Sequence, residues 1–162
     1  MNKYIFSFSQ LSQLLYAAQT DSITDDFRSA QMYVYLSWLG LTPADIKTAF
    51  TDDYSPETGM LSVDGRDIMV CEEEIRQCIS VREKGRSLIH GGLKFCGLAA
   101  ELAASLGLDP IIVLRSGAMY RRFEQGTKPT LRELRAMGID EAGFEAEFCD
   151  YSAQRELYFN KE

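Results

Sequence analysis

The chain is poor in metal ligands. Its 162 residues include one histidine, His90, and four cysteines, none of them in a Cys-x-x-Cys pair. A zinc site needs about four such ligands close together, so a metal centre is not expected. Cys71 and Cys78 fall on one face of a helix, two turns apart, too far to bridge. With Cys96 and Cys149 they read as four reduced, mostly buried thiols. Long apolar runs are missing too. No stretch is long enough to span a bilayer, and no basic start leads into an apolar segment. A membrane is therefore not an expected partner, and a cytoplasmic location follows by default. Gly-x-x-x-x-Gly-Lys-Ser/Thr, Gly-x-Ser-x-Gly and His-Glu-x-x-His are all absent. His90-Gly91-Gly92 is a loop or a tight helix contact rather than a phosphate loop. No cofactor is expected.

Positive charge is also scarce, with a net charge of −7, but it is unevenly placed. Residues 1–75 carry 4 basic and 12 acidic groups. Residues 76–135 carry 11 basic and 5 acidic, and residues 136–162 carry 2 and 7. A basic middle thus lies between acidic ends. Nucleic-acid binders generally show an overall basic excess, which this chain lacks. The middle has two readings: a local positive face for DNA, or a surface salt-bridged to Glu124, Glu133 and the acidic tail.

What is present is helical periodicity. Hydrophobic residues make up 46%, ordinary for a globular chain of one domain, taken as residues 1–162. Leu11, Leu14, Leu15 and Ala18 mark a helix over Ser9–Gln19. A second runs from Thr24 to Leu39 and is apolar nearly all round from Ala30, the mark of a central buried helix. Gly40 ends it, and Thr42-Pro43-Ala44-Asp45 opens a third with a capping box. Strands are expected at Met60–Val63 and Asp67–Val70, joined at Asp64-Gly65. Glu72, Glu73 and Glu74 open a fourth helix. Further helices are read over Leu93–Leu106, Ile112–Gln125 after an interruption at Pro110, a short one capped at Thr130, and Asp140–Tyr158. The last carries Asp140, Glu141, Glu145, Glu147 and Asp150, which would repel DNA, so it is no reading helix. It folds over the basic middle instead, or binds a basic partner. The fold class is mainly α with one small antiparallel β-hairpin.

The order from Ala30 to Val70 resembles the start of the catalytic domain of tyrosine recombinases, the phage integrases. There a long buried helix leads to Thr-Gly-Leu-Arg, then an acidic residue and an aspartate. Here the run is Leu39-Gly40-Leu41-Thr42, then Asp45 and Asp53, with Thr42 at the arginine position. The family places a lysine at the turn of a small sheet, and here the turn is Asp64-Gly65-Arg66-Asp67. The family's His-x-Leu-Arg-His-Thr corresponds to Ile112-Val113-Leu114-Arg115-Ser116-Gly117. Its Leu-Gly-His corresponds to Met137-Gly138-Ile139. The nucleophile has two candidates, Tyr151 and Tyr158, neither at the usual spacing.

The resemblance implies an integrase-like fold that has lost its chemistry. Phosphoryl transfer builds negative charge that cationic groups must stabilise, and each loss costs about 10²- to 10³-fold. Catalytic residues are thus expected to be none, with Arg115, Tyr151 and Tyr158 as remnants. The implied function is a non-catalytic integrase-like protein of a phage or mobile element. It would bind DNA weakly through Arg66, Arg115, Arg121, Arg122 and Arg132, or have a regulatory role. Family members dock their last helix on a neighbour, so self-association or a protein partner at the acidic final helix is a further expectation. The alternatives are an acidic interaction module or inhibitor that binds no DNA, and a still-active DNA-cleaving enzyme.

Overall fold

The protein was analysed as a computed structural model that describes residues 4–19, 24–49, 51–81, 85–89 and 96–160. The His90-Gly91-Gly92 turn and the start of the helix expected from Leu93 lie outside these residues. The architecture is mainly helical with a small antiparallel sheet. Helices α1 (Phe8–Ala18), α2 (Asp25–Trp38) and α3 (Pro43–Thr48) come first. A 3₁₀ turn at Thr51–Asp53 leads into β1 (Tyr54–Ser55), β2 (Met60–Val63) and β3 (Arg66–Met69). Helices α4 (Glu73–Ser80), α5 (Cys96–Ser105), α6 (Pro110–Gln125), α7 (Leu131–Met137) and α8 (Glu141–Phe159) complete the chain.

Local chemistry sets most of these boundaries. Ser7, Thr24, Thr42, Asp109, Thr130 and Asp140 each turn a side-chain oxygen to a backbone N–H in the first turn of a helix. Such a cap contributes about 1 kcal/mol. Thr42 with Asp45 and Thr130 with Glu133 form full capping boxes. Gly126 and Gly138 close α6 and α7 in the left-handed conformation, φ 68° and 72°. Pro110 starts α6 instead of interrupting it, because a proline at the first helical position forfeits no helical bond.

The expected hairpin is there with a third strand added. The sheet order is β1-β2-β3, all antiparallel, with Leu61 opposite Ile68 and Val63 opposite Arg66. Asp64 and Gly65 both have positive φ, 50° and 77°, as the mirror-image hairpin turn requires. Two-residue β1 has no hydrophobic alternation to reveal it in the sequence. The second strand also starts one residue early, so Arg66 lies in β3 and not in the turn.

Helix α2 is the centre of the domain. From Met32 to Trp38 every residue is buried. Each large apolar side chain so buried contributes about 1.5–3 kcal/mol. The larger core cluster joins α2 to α1, α3, the sheet, α4 and α5. The smaller gathers Tyr4 and Phe6 with Leu114, Met119, Leu134, Phe144 and Tyr151 of α6, α7 and α8. Helix α6 belongs to both. It approaches α2 so closely that a Cβ on Gly117 would lie 2.2 Å from the Trp38 carbonyl oxygen. The expectation of mostly buried thiols needs correcting. Cys96 is buried, Cys78 is intermediate, and Cys71 and Cys149 are exposed, since each of the last two sits on the outer side of its segment. Among the described residues no single helix is long and apolar enough to cross a membrane.

Candidate functional site: an arginine cluster around Asp45

The Gly40-Leu41-Thr42 turn leads from the central helix into α3. Its capping aspartate, Asp45, is 1% exposed. A lone buried carboxylate is costly unless it is fully hydrogen-bonded. Here four donors surround it. Thr42 donates its backbone N–H and its hydroxyl to Oδ2, both at 3.1 Å. Arg66, from β3, donates to the same oxygen at 2.7 Å. Arg132, from the first turn of α7, donates to Oδ1 at 2.5 Å. Arg132 also bridges to Asp64 at the hairpin turn. These hydrogen bonds hold the Arg132 pKa above its ordinary value. Two carboxylates and two guanidiniums thus close a balanced network over α3, the sheet and α7.

A second pair lies alongside. Arg121 of α6 donates to the Trp38 carbonyl at 2.6 Å, which caps the end of α2, and to Glu133 at 3.2 Å. Burial pushes its pKa down, and the carboxylates of Glu133 and Glu72 oppose that shift. Gly40 makes room for the pair. At φ 102° a Cβ there would lie 2.4 Å from Glu133 Oε1 and 2.9 Å from Arg121 Nη2. The glycine that ends α2 is therefore also the space into which this ion pair fits.

The remaining predicted residues lie elsewhere. Arg115 reaches the Met137 carbonyl at 3.4 Å and Glu147 at 3.7 Å. Arg122 pairs with Glu145 at 3.2 Å and lies over the Phe148 ring. Lys128 meets Glu141 at 3.5 Å. The acidic start of α8 thus covers the basic face of α6, one of the two roles expected for it. Thr42 and Arg66 converge on Asp45, whereas Arg115 serves the α6–α8 contact. Tyr151 is fully buried, edge-on to Tyr4 with ring centroids 5.4 Å apart. Desolvation pushes its pKa up to about 12, which disfavours the phenolate a nucleophile would need. Tyr158 packs against Phe6, with ring centroids 5.1 Å apart.

Sequence reasoning found Asp45 as part of a capping box and as the acidic residue after the Gly-Leu turn, not as an acceptor for two arginines. A buried aspartate next to Ile46 carried one further signal, because a capping box leaves part of a carboxylate's acceptor capacity unused. Nothing in the spacing showed that Arg132, so distant in the chain, would fill it. Among the described residues no group of three histidine, cysteine or acidic side chains is arranged to hold a metal ion. Comparison with family models, with curated proteins and with solved structures finds no match for this chain.

Proposed function

We propose that this chain is a non-catalytic, integrase-like domain, of phage or mobile-element descent, that acts by holding a protein partner rather than by cutting or gripping DNA. One observation carries the reading. Each of the five arginines expected to face phosphate is paired instead with a carboxylate of its own chain: Arg66 and Arg132 with Asp45, Arg121 with Glu133, Arg122 with Glu145 and, at a longer 3.7 Å, Arg115 with Glu147. DNA affinity comes largely from unengaged cations that release counterions. Cations neutralised inside the fold contribute little of that. The integrase-like part is supported by the order of elements: long buried helix, Gly-Leu turn, capped helix, small antiparallel sheet. The loss of chemistry is supported by Thr42 at the arginine position and by the burial of Tyr151.

Two measurements test this. In a gel-shift titration with duplex DNA, no shift is expected even at low salt. A shift with a steep salt dependence would restore the phosphate-contact reading. With a suicide DNA substrate, no covalent adduct is expected. An adduct abolished by Tyr158→Phe or Tyr151→Phe would establish strand cleavage and end the non-catalytic assignment.

A further inference from the structure

Strand β3 has a partner on one side only. It pairs with β2, and among the described residues no strand lies along its other edge. Antiparallel hydrogen bonding alternates, so the register tells which backbone groups that edge presents. The two-residue turn makes Val63 and Arg66 a hydrogen-bonded pair, and the Val70 N–H donates to the Gly59 carbonyl at 2.9 Å. Residues 66, 68 and 70 therefore address β2. Asp67 and Met69 turn their N–H and C=O groups outward. Among the described residues the one hydrogen bond to these groups comes from the Cys71 thiol, at a long 4.0 Å from the Met69 carbonyl.

A groove of about 500 Å³ runs along this edge. All four residues of β3 line it, although successive side chains of a strand point to opposite faces. A groove over one face would touch alternate residues, so this one follows the edge. Tyr120 and Arg121 belong to its lining on the α6 side. Two polar atoms in the lining residues are buried without a hydrogen-bond partner: Arg66 Nε and Glu72 Oε2. Glu72 precedes α4, yet its carboxylate makes no cap. Buried polar atoms are normally satisfied, so the Glu72 carboxylate is left short of a partner within the fold.

We propose that the groove binds an extended peptide segment with a basic side chain, which adds to the sheet as a fourth strand beside β3. Its backbone exchanges hydrogen bonds with Asp67 and Met69. Its lysine or arginine pairs with the Glu72 carboxylate. The charge preference follows from occupancy. Arg66 and Arg121 already hold the carboxylates of Asp45 and Glu133, whereas Glu72 Oε2 has no hydrogen-bond partner among the described residues. This names the partner of the domain proposed above and rests on that reading. DNA retention in the gel shift would overturn that reading, while a peptide titration addresses the groove alone.

The test uses the full chain and two synthetic peptides of alternating threonine and valine, one centred on lysine and one on glutamate. Backbone amides are followed by NMR. The lysine peptide is expected to shift the Asp67 and Met69 amides and slow their hydrogen exchange. It should bind about tenfold tighter than the glutamate peptide, the ratio that ~1.4 kcal/mol produces. Glu72→Gln should erase that preference without altering the fold. Met69→Pro removes an outward N–H and no ladder bond, and prolines are tolerated on such edges. It should abolish binding while the other amide signals stay in place. Unchanged exchange at Asp67 and Met69 at millimolar lysine peptide overturns the proposal. So does equal binding of the two peptides, or binding that survives Met69→Pro.

Discussion

The two core clusters of this domain are held at their edges by the same kinds of charged groups in different surroundings. Beside the α2 cluster, Asp45 is 1% exposed and takes two arginines and a threonine. Beside the α6–α8 cluster, the acidic partners Glu145, Glu147 and Glu141 keep 38%, 26% and 66% of their side-chain surface. A buried carboxylate without its partners is a large penalty, so the Asp45 network ties α3, β3 and α7 into one arrangement. The α8 pairs are screened by water and salt, and the aromatic rings beneath them do the holding. Burial therefore separates the ion pairs that specify this fold from those that solubilise its surface.

The largest effect that can break this contrast is alkaline unfolding. Tyr33 and Tyr35 in the first cluster, and Tyr4 and Tyr151 in the second, all have pKa values pushed from 10.0 to about 12, chiefly by desolvation. The neutral phenol is favoured in the folded state. The resulting stability is fully present below pH 10 and is lost as pH rises towards 12. Each tyrosine removes about 1.4 kcal/mol per pH unit in that window. Denaturant unfolding at stepped pH should show a flat region and then a steep fall. Replacing one tyrosine of either pair by phenylalanine should make the fall shallower by a similar amount. A change confined to one pair would show that the clusters unfold separately.

Asp45→Ala comes next. It leaves Arg66 without its carboxylate, takes one of the two that Arg132 holds and breaks the Thr42 capping box, and should cost about 3–5 kcal/mol in urea unfolding. A loss below about 1 kcal/mol would put Asp45 in the same class as the surface pairs. Gly117→Ala drives a Cβ against the Trp38 carbonyl, which is backbone and cannot swing aside. It should cost about 1–3 kcal/mol. Weakest of all is the pairing of Arg122 with Glu145. A double-mutant cycle over Arg122→Ala and Glu145→Ala should give a coupling under about 1 kcal/mol that shrinks with added salt. A coupling as large as the Asp45 effect would remove the distinction between the two regions.

The helices were legible because their signals are local. Thr24, Thr42 and Thr130 announce helix starts, Gly40 and Gly138 mark ends, and the apolar run from Ala30 marks the buried centre. The Asp64-Gly65 turn is equally local. Strand β1 escaped notice because two residues carry no period. Of the site, the arginines could be named, with Glu133 and the acidic last helix as partners for the basic middle, but Asp45 could not. Arg132 and Asp45 lie 87 residues apart in the chain, and no spacing rule connects them. The bare groove edge of β3 was hidden for the same reason, since what covers a strand depends on every other element.

The amino-acid order by itself determined where helices begin, where they stop and which one is central, because caps, glycines and apolar periodicity act within a few residues. Only the tertiary structure decided which carboxylate each arginine meets. That choice depends on burial, and burial exists only once α3, β3, α6 and α7 have packed around Gly40.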